Sequence, residues 1–232
     1  MLSPTELRRL ELLSPLWESN PPPLPYHGSA LPNELRGRTL LGITLTDFAF
    51  NIAGIARALK DKVLWMSNLL IREATSDDAE AIRLIYNHEV ESETSTMDLV
   101  PRTLEVQREW IATRSGAFCA VVATDSTGTI LGFGALSEYK DRSGYRSTVE
   151  NSVYVRRDVA RRGIGKQILG HLIELATASG FHSVIARIES QSSASRGLHA
   201  SCGFELVGIE KQVARKFGKW LDIAVMQKLL TT

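Results

Sequence analysis

Only two cysteines occur among the 232 residues, Cys119 inside an apolar run and Cys202 beside a glycine. Two thiols so placed build neither a disulfide framework nor a metal cluster, so no metal site is expected and a reducing, cytoplasmic setting is. Also missing is any uninterrupted run of the roughly 20 apolar residues that a membrane-spanning helix requires. Charge or glycine breaks each apolar stretch sooner, so a soluble protein with no membrane partner is expected. A basic start followed by an apolar core and a small-residue cleavage site is absent, and Glu6 and Glu11 argue against a basic transit peptide. Excess charge of one sign is absent too: 27 lysines and arginines face 26 acidic residues, a net charge of +1. Such a balance creates no global field to attract nucleic acid or an anionic membrane, so any basic feature that matters must be local.

What is present divides unequally. With 44% apolar and 23% charged residues, the chain holds one ordinary core plus an appendage. Pro15, Pro21, Pro22, Pro23, Pro25 and Pro32 are six of the eight prolines, and they exclude regular helix or sheet from their segment. Ahead of them Ser3 and Glu6 have capping-box spacing before Leu7, Leu10 and Leu13, which predicts a short helix. Behind them Thr46 or Asp47 caps a predicted helix with Phe48, Ile52, Ile55, Leu59 and Val63 on one face. Residues 1–65 are therefore read as an N-terminal extension, partly helical or disordered, and 66–232 as the main domain. Met66 stands directly before that domain and offers a second possible start.

From Leu69 onward the pattern alternates between strand and helix. Leu69–Glu73 reads as a strand, Thr75 and Asp78 mark a helix start, and Ile82, Ile85 and Val90 supply its inner face. After the loop Ser92–Asp98, Leu104, Trp110 and Ile111 share one face of a second helix. Phe118–Ala123 and Ile130–Leu136 are strands joined by the turn Asp125-Ser126-Thr127-Gly128, and Ser147–Val155 is a third. A long helix follows from Gly163 to Ser179, with Ile164, Ile168, Leu172 and Leu175 at helical spacing and Gly180 as its C-cap. Val184–Ile188, a short helix at Ser193–Ser201, a strand from Phe204 and a last strand Trp220–Leu229 complete an α/β order without internal repeat.

The chemistry concentrates where the third of these strands runs into Arg161-Arg162-Gly163-Ile164-Gly165-Lys166. Two glycines let backbone amides approach a ligand closely, and the unpaired first-turn N–H groups and helix dipole favour an anion such as a pyrophosphate. Plain helix capping produces the same pattern. A dinucleotide fingerprint is incomplete because Ile168 stands at its third glycine, and the phosphate-loop pattern ending in Gly-Lys-Ser/Thr is not matched because Gln167 follows Lys166.

Val153-Tyr154-Val155, Gly163-Ile164-Gly165 and Leu198-His199-Ala200-Ser201-Cys202-Gly203-Phe204 resemble, in order and spacing, three successive signatures of the GNAT acetyltransferases. Ile85-Tyr86-Asn87-His88, the Thr94–Pro101 loop, Tyr145–Val155 and Lys216-Phe217-Gly218-Lys219-Trp220-Leu221-Asp222 resemble the phosphinothricin and methionine sulfoximine branch. The likeness covers about Ile71 to Leu229 and none of the extension.

That resemblance implies a mixed, splayed sheet flanked by helices, acetyl-CoA as co-substrate, and an amino-acid-like amine as acceptor. It assigns the pantetheine and acetyl carbonyl to the backbone of Val153, Tyr154 and Val155, and the diphosphate to Arg161, Arg162, Gly163, Ile164, Gly165 and Lys166. Glu150 becomes the general base, because an α-amine with a pKa near about 8 must lose a proton before attacking a thioester; its bland alternative is a surface pair with an arginine. His199 stands where the related enzymes carry a proton donor to the leaving thiolate, against the alternative of a structural histidine. Ser143, Gly144 and Tyr145 match a substrate-lining stretch, and Arg146 would clamp an anionic group unless the segment is only a surface hairpin. Phe217 and Trp220 either close the substrate site across a homodimer interface or, as aromatics in strands more often do, sit in the core. Ala160 replaces the usual glutamine or arginine, Ser192 the usual asparagine, and Met97 the usual tryptophan, so Ser192 is expected to grip the cofactor less firmly. A different small amine as acceptor and a non-catalytic acyl-CoA-binding module are the other readings the sequence admits.

Overall fold

A computed structural model describes residues 69–230. The two helices expected near Leu7–Leu13 and Phe48–Val63, the proline-rich stretch and the second start at Met66 lie outside them. Within them the order is β1 (Leu70–Glu73), α1 (Ala79–Ser92), α2 (Leu104–Ala112), β2 (Ala120–Thr124), β3 (Ile130–Glu138), β4 (Thr148–Val155), α3 (Ile164–Ala178), β5 (Ser183–Glu189), α4 (Ser193–Ser201), β6 (Glu205–Lys216) and β7 (Lys219–Leu229). The strands form one sheet in the order β1-β2-β3-β4-β5-β7-β6. Its neighbours pair antiparallel except β4 and β5, which run parallel, so the sheet is mixed.

Period-two alternation sends the two sides of each strand into separate cores. Val121, Ala123 and Leu131 meet Ile164, Ile168, Leu169 and Leu172 of α3 on one face. Ala120, Val122, Phe133 and Ala135 meet Ile82, Ile85, Tyr86 and Val90 of α1 and Ile111 of α2 on the other. The helix start expected at Thr75 and Asp78 is a short 3₁₀ turn, Ser76–Asp78, that leads into α1. There the Asp78 carboxylate accepts from the Thr75 N–H at 2.7 Å and from the Arg72 guanidinium at 2.7 and 2.8 Å. Gly180, at φ +78°, ends α3 as its position in the sequence suggests.

Two boundaries move. Phe118 lies in the 3₁₀ turn Gly116–Phe118 rather than in β2, which begins only at Ala120, and its ring packs on Phe181 at 5.8 Å. Periodicity cannot distinguish an apolar turn residue packed on a core from the first residue of an apolar strand. β6 begins at Glu205 rather than Phe204, whose side chain is buried at 3% exposure.

The feature that positions the site is where β4 and β5 stop pairing. Their register joins Thr148, Val149 and Glu150 to Ser183, Val184 and Ile185, and no further. Beyond that point β4 stays with β3 through Val155, while β5 stays with β7 through Glu189. The sheet forks at Glu150.

Candidate active site

The fork exposes one edge of β4. The Arg156 N–H donates to the Leu131 carbonyl at 2.8 Å, which makes Leu131 and Arg156 a hydrogen-bonded antiparallel pair. Alternation in the ladder then turns the backbone of Tyr154 toward β3 and the backbones of Val153 and Val155 toward the fork. The Tyr154 ring is held by the α1-side core, stacked on Phe133 at 5.1 Å and edge-on to Tyr86 at 5.2 Å. Tyr154 thus fixes the strand, and its two neighbours offer N–H and C=O groups to whatever enters the gap.

At its far end β4 leads to the glycine turn. Gly163 is the N-cap of α3 at φ +89°, and Arg161 also takes a left-handed backbone, at φ +65°. Successive amides around such residues form a concave cluster of N–H groups suited to an anion; the N–H groups of Ile164 and Gly165 precede the first helical bond, whereas those of Lys166 and Gln167 donate to the Gly163 carbonyl at 3.1 and 3.2 Å. The Ile164 side chain is 2% exposed and belongs to the core, so only its backbone faces the turn. Arg161, Arg162 and Lys166 are exposed around it. Gly165 sits over the gap: a Cβ there would lie 3.2 Å from Leu198 and 3.5 Å from Val155. These features fit an extended cofactor with a diphosphate at one end and a thioester at the other. Ser192 is the N-cap of α4 and its hydroxyl makes no capping hydrogen bond, while Ala160 is exposed.

Glu150 and His199 flank the fork from opposite faces. Val149, Val153 and Val155 join the α3-side core and Tyr154 the other, so Glu150 lies on the α1 side and Asn151 on the α3 side. Burial raises the Glu150 carboxyl above the ordinary carboxylate range, opposed by the charge of Arg187 and assisted by Glu210. Arg187 is itself paired to Glu210 at 2.5 Å, so the arginine that would have made Glu150 a mere surface ion pair is engaged elsewhere. His199, 5% exposed on α4, places Nδ1 2.8 Å from the Ser195 carbonyl and Nε2 3.1 Å from Oδ1 of Asn151. Burial lowers its pKa and the Ser195 carbonyl raises it.

Ser143, Gly144 and Tyr145 form a 3₁₀ turn in the β3–β4 connection, and Arg146 follows it. Ser143, Tyr145 and Arg146 line a cavity of about 260 Å³ with Tyr139, Lys140, Arg142, Thr148 and Phe181 among its other walls. Lys140 Nζ lies 4.8 Å from the Tyr139 ring centre and 5.1 Å from that of Tyr145. The cavity reaches Thr148, two residues before Glu150 on the same face of β4, and stops short of Glu150 itself. Lys140 and Arg142 were not singled out from sequence, although a lysine and an arginine two apart beside tyrosines are a readable anion signal. A larger groove of about 460 Å³ between α1 and the end of β4 shares only Val155 with the predicted site.

Phe217 and Trp220, 54% and 59% exposed, are not core residues. They flank the β6–β7 turn, where strand alternation is interrupted by Phe217 at φ +49° and Gly218 at φ +75°. Beside them Lys216 is 3% exposed and its Nζ donates to the carbonyls of Glu89 at 3.1 Å and Thr96 at 2.8 Å, tying the hairpin to α1 and to the loop after it. Lys216→Met removes both bonds; the Glu89 carbonyl keeps the Glu93 N–H at 3.2 Å, whereas the Thr96 carbonyl loses this donor. A loss of that kind costs about 1–3 kcal/mol, so the melting temperature should fall by roughly 3–8 °C. An unchanged thermal midpoint would show that the tie contributes nothing.

A parallel strand pair that separates ahead of a glycine turn at a helix start has the shape and chemistry that an acyl-CoA-dependent transferase requires. The model of the acetyltransferase (GNAT) domain family matches residues 71–225, and the chain belongs to that family. It is 42% identical over 158 residues to the L-methionine sulfoximine/L-methionine sulfone acetyltransferase of Pseudomonas aeruginosa, covering 68% of this chain and 92% of that protein. It is 35% identical over 161 residues to the phosphinothricin N-acetyltransferase of Alcaligenes faecalis, with 69% and 82% covered. Among solved structures, a phosphinothricin acetyltransferase from Sinorhizobium meliloti in complex with AcCoA superposes with a TM-score of 0.67 at 34% identity, over 70% of this chain and 89% of that one. No helix of the described residues is long and apolar enough to cross a membrane.

Proposed function

We propose that the protein transfers acetyl from acetyl-CoA to the α-amine of a small amino acid bearing a second anionic or strongly polar group, of the methionine sulfone, methionine sulfoximine or phosphinothricin kind. The observation that carries this reading is the fork at Glu150, with a carboxylate on one face and an imidazole on the other. The substrate class draws on the names of the relatives and on a cavity whose walls include Lys140, Arg142 and Arg146 against Glu138 and Asp141.

In this reading the amine nitrogen forms a bond to the acetyl carbon, the carbon–sulfur bond breaks, and the amine proton passes to Glu150, directly or through water. The raised pKa of Glu150 brings its basicity closer to that of an ammonium group and makes the transfer less uphill. Amides of Val153 and Val155 hold the acyl arm and stabilise the charge that develops on its carbonyl oxygen. His199 gives a proton to the departing thiolate from the α3 side. Backbone amides from Gly163 to Gly165, helped by the side chains of Arg161, Arg162 and Lys166, hold the diphosphate. Ser192 stands beside this path and contributes a hydroxyl in place of an amide.

We further take residues 66–232 as the catalytic unit, working in the cytoplasm where acetyl-CoA is available. A homodimer is supported by the edge strand β6, which carries exposed Leu206, Val207, Ile209 and Val213 next to exposed Phe217 and Trp220.

The test is an assay of free thiol release with acetyl-CoA and methionine sulfone, methionine sulfoximine or phosphinothricin, coupled to mass detection of the N-acetyl product. One thiol per product is expected. A panel of small amines that yields no turnover would remove the reading.

A further inference from the structure

Asn151 sits at the first position of β4 beyond the fork, and its side chain is the link between the parted strands and α4. It is 7% exposed. Its Nδ2 donates to the Ile185 carbonyl at 3.0 Å, on the last β5 residue paired with β4, while its Oδ1 faces His199 Nε2 at 3.1 Å. The other ring nitrogen, Nδ1, faces the Ser195 carbonyl at 2.8 Å. Four groups therefore stand in a line: a carbonyl, an imidazole, an amide and a second carbonyl.

Counting protons along that line gives an unequal sum. Both ends are carbonyl oxygens, which only accept. The amide must turn its NH₂ to Ile185, which leaves its oxygen toward the imidazole; flipping it sets the two oxygens against each other at Ile185 instead. A neutral imidazole carries one N–H, so one of its nitrogens then points a lone pair at an oxygen whichever tautomer it adopts. The line is one proton short with neutral His199 and complete with the imidazolium.

We propose that Asn151 is a positioning residue that holds His199 as the imidazolium at the fork, ready to supply the proton that the departing thiolate takes. This rests on the reading of His199 as the proton donor. Burial is the larger influence and works against the second proton, while the Ser195 carbonyl works for it; the Asn151 oxygen adds an acceptor at Nε2. Charged or titratable side chains on the elements packed around the ring are Arg196 and Cys202 at α4, Arg187 and Glu189 on β5, Glu150 and Tyr154 on β4, and Lys166, His171 and Glu174 on α3. Among the described residues the hydrogen bonds to the ring come from Ser195 and Asn151. Phe204 closes its face at 5.1 Å.

The test compares the full-length enzyme with Asn151→Leu and Asn151→Asp, two changes that a merely structural role would make similar. Histidine ¹⁵N NMR of the unaltered protein should show both His199 nitrogens protonated at neutral pH. Asn151→Leu should leave only Nδ1 protonated, and move the alkaline limb of the kcat profile down by about one to two pH units. Asn151→Asp keeps an acceptor and adds charge, so it should retain both protons and move the limb upward. Its KM for acetyl-CoA should change far less than its kcat profile. A neutral imidazole in the unaltered protein, or limbs that shift the same way in both variants, overturns the proposal. His199→Gln separates this outcome from failure of the underlying reading: full kcat in that variant would remove the donor role itself, whatever Asn151 does.

Discussion

Glu150→Gln should lower kcat by roughly 10²–10⁴-fold, the range that general acid–base groups contribute, and leave the KM for acetyl-CoA unchanged. Glutamine is isosteric and sits at the same last paired position opposite Ile185, so the fork keeps its shape. What would disappear is the basic oxygen proposed to receive the amine proton. The acid limb of the pH–rate profile should vanish with it. In the unaltered enzyme that limb should lie above the ordinary carboxylate range, because burial raises the Glu150 pKa.

The same shift fixes the sign of a stability effect. A group whose folded pKa is raised favours the fold while it is protonated, below its unfolded pKa, and that contribution is lost as pH rises through the folded value. Above that value the ionised Glu150 is therefore a burden on the fold. Glu150→Gln should melt at the same temperature or slightly higher, even as activity is lost. A large drop in melting temperature would instead mark Glu150 as a structural residue.

Gly165→Val should raise the KM for acetyl-CoA about tenfold to a hundredfold, the equivalent of one or two charge-assisted hydrogen bonds. A side chain here projects over the gap, where a Cβ already comes within 3.2 Å of Leu198, 3.5 Å of Val155 and 3.9 Å of Val153. In the proposed binding mode it would obstruct the acyl arm at the point where the strand edge meets the first turn of α3. Gly163→Ala is the contrasting change. At φ +89° an added Cβ is strained, costing about 1–2 kcal/mol. That variant should lose several degrees of thermal stability and retain most of its affinity. Equal affinity losses in both would mean that the turn acts through folding alone.

Much of this was readable before any coordinates. The faces of α1 and α3 follow from helical spacing, and Gly180 closes α3 as its type and position require. The glycine turn could be placed at a helix start because a strand, basic residues and two glycines occur in that order. What sequence could not give is pairing. That β4 and β5 share only three paired positions is a long-range fact, and no residue of either strand announces where pairing ends. Asn151 was overlooked for a related reason: it follows Glu150 in a motif, but alternation sends it to the opposite face, where its partner His199 lies 48 residues away. Lys216 was hidden more deeply, since a lysine before a turn normally projects into water and here reaches the Thr96 carbonyl of the α1–α2 loop and the Glu89 carbonyl of α1, 120 and 127 residues distant. The exposed aromatics Phe217 and Trp220 reversed the usual expectation because they border a turn with left-handed backbone.

The central claim is that the separation of β4 from β5 holds the thioester between Glu150 and His199 while the α3 turn holds the phosphates. A crystal structure of the enzyme with coenzyme A and methionine sulfone tests it most directly. The sulfur should lie between Asn151–Val155 and Ala186–Glu189, with the amine on the Glu150 side and the diphosphate on the amides from Gly163 to Gly165. Phosphates bound away from Gly163 and Gly165, or a sulfur outside the fork, would contradict the account.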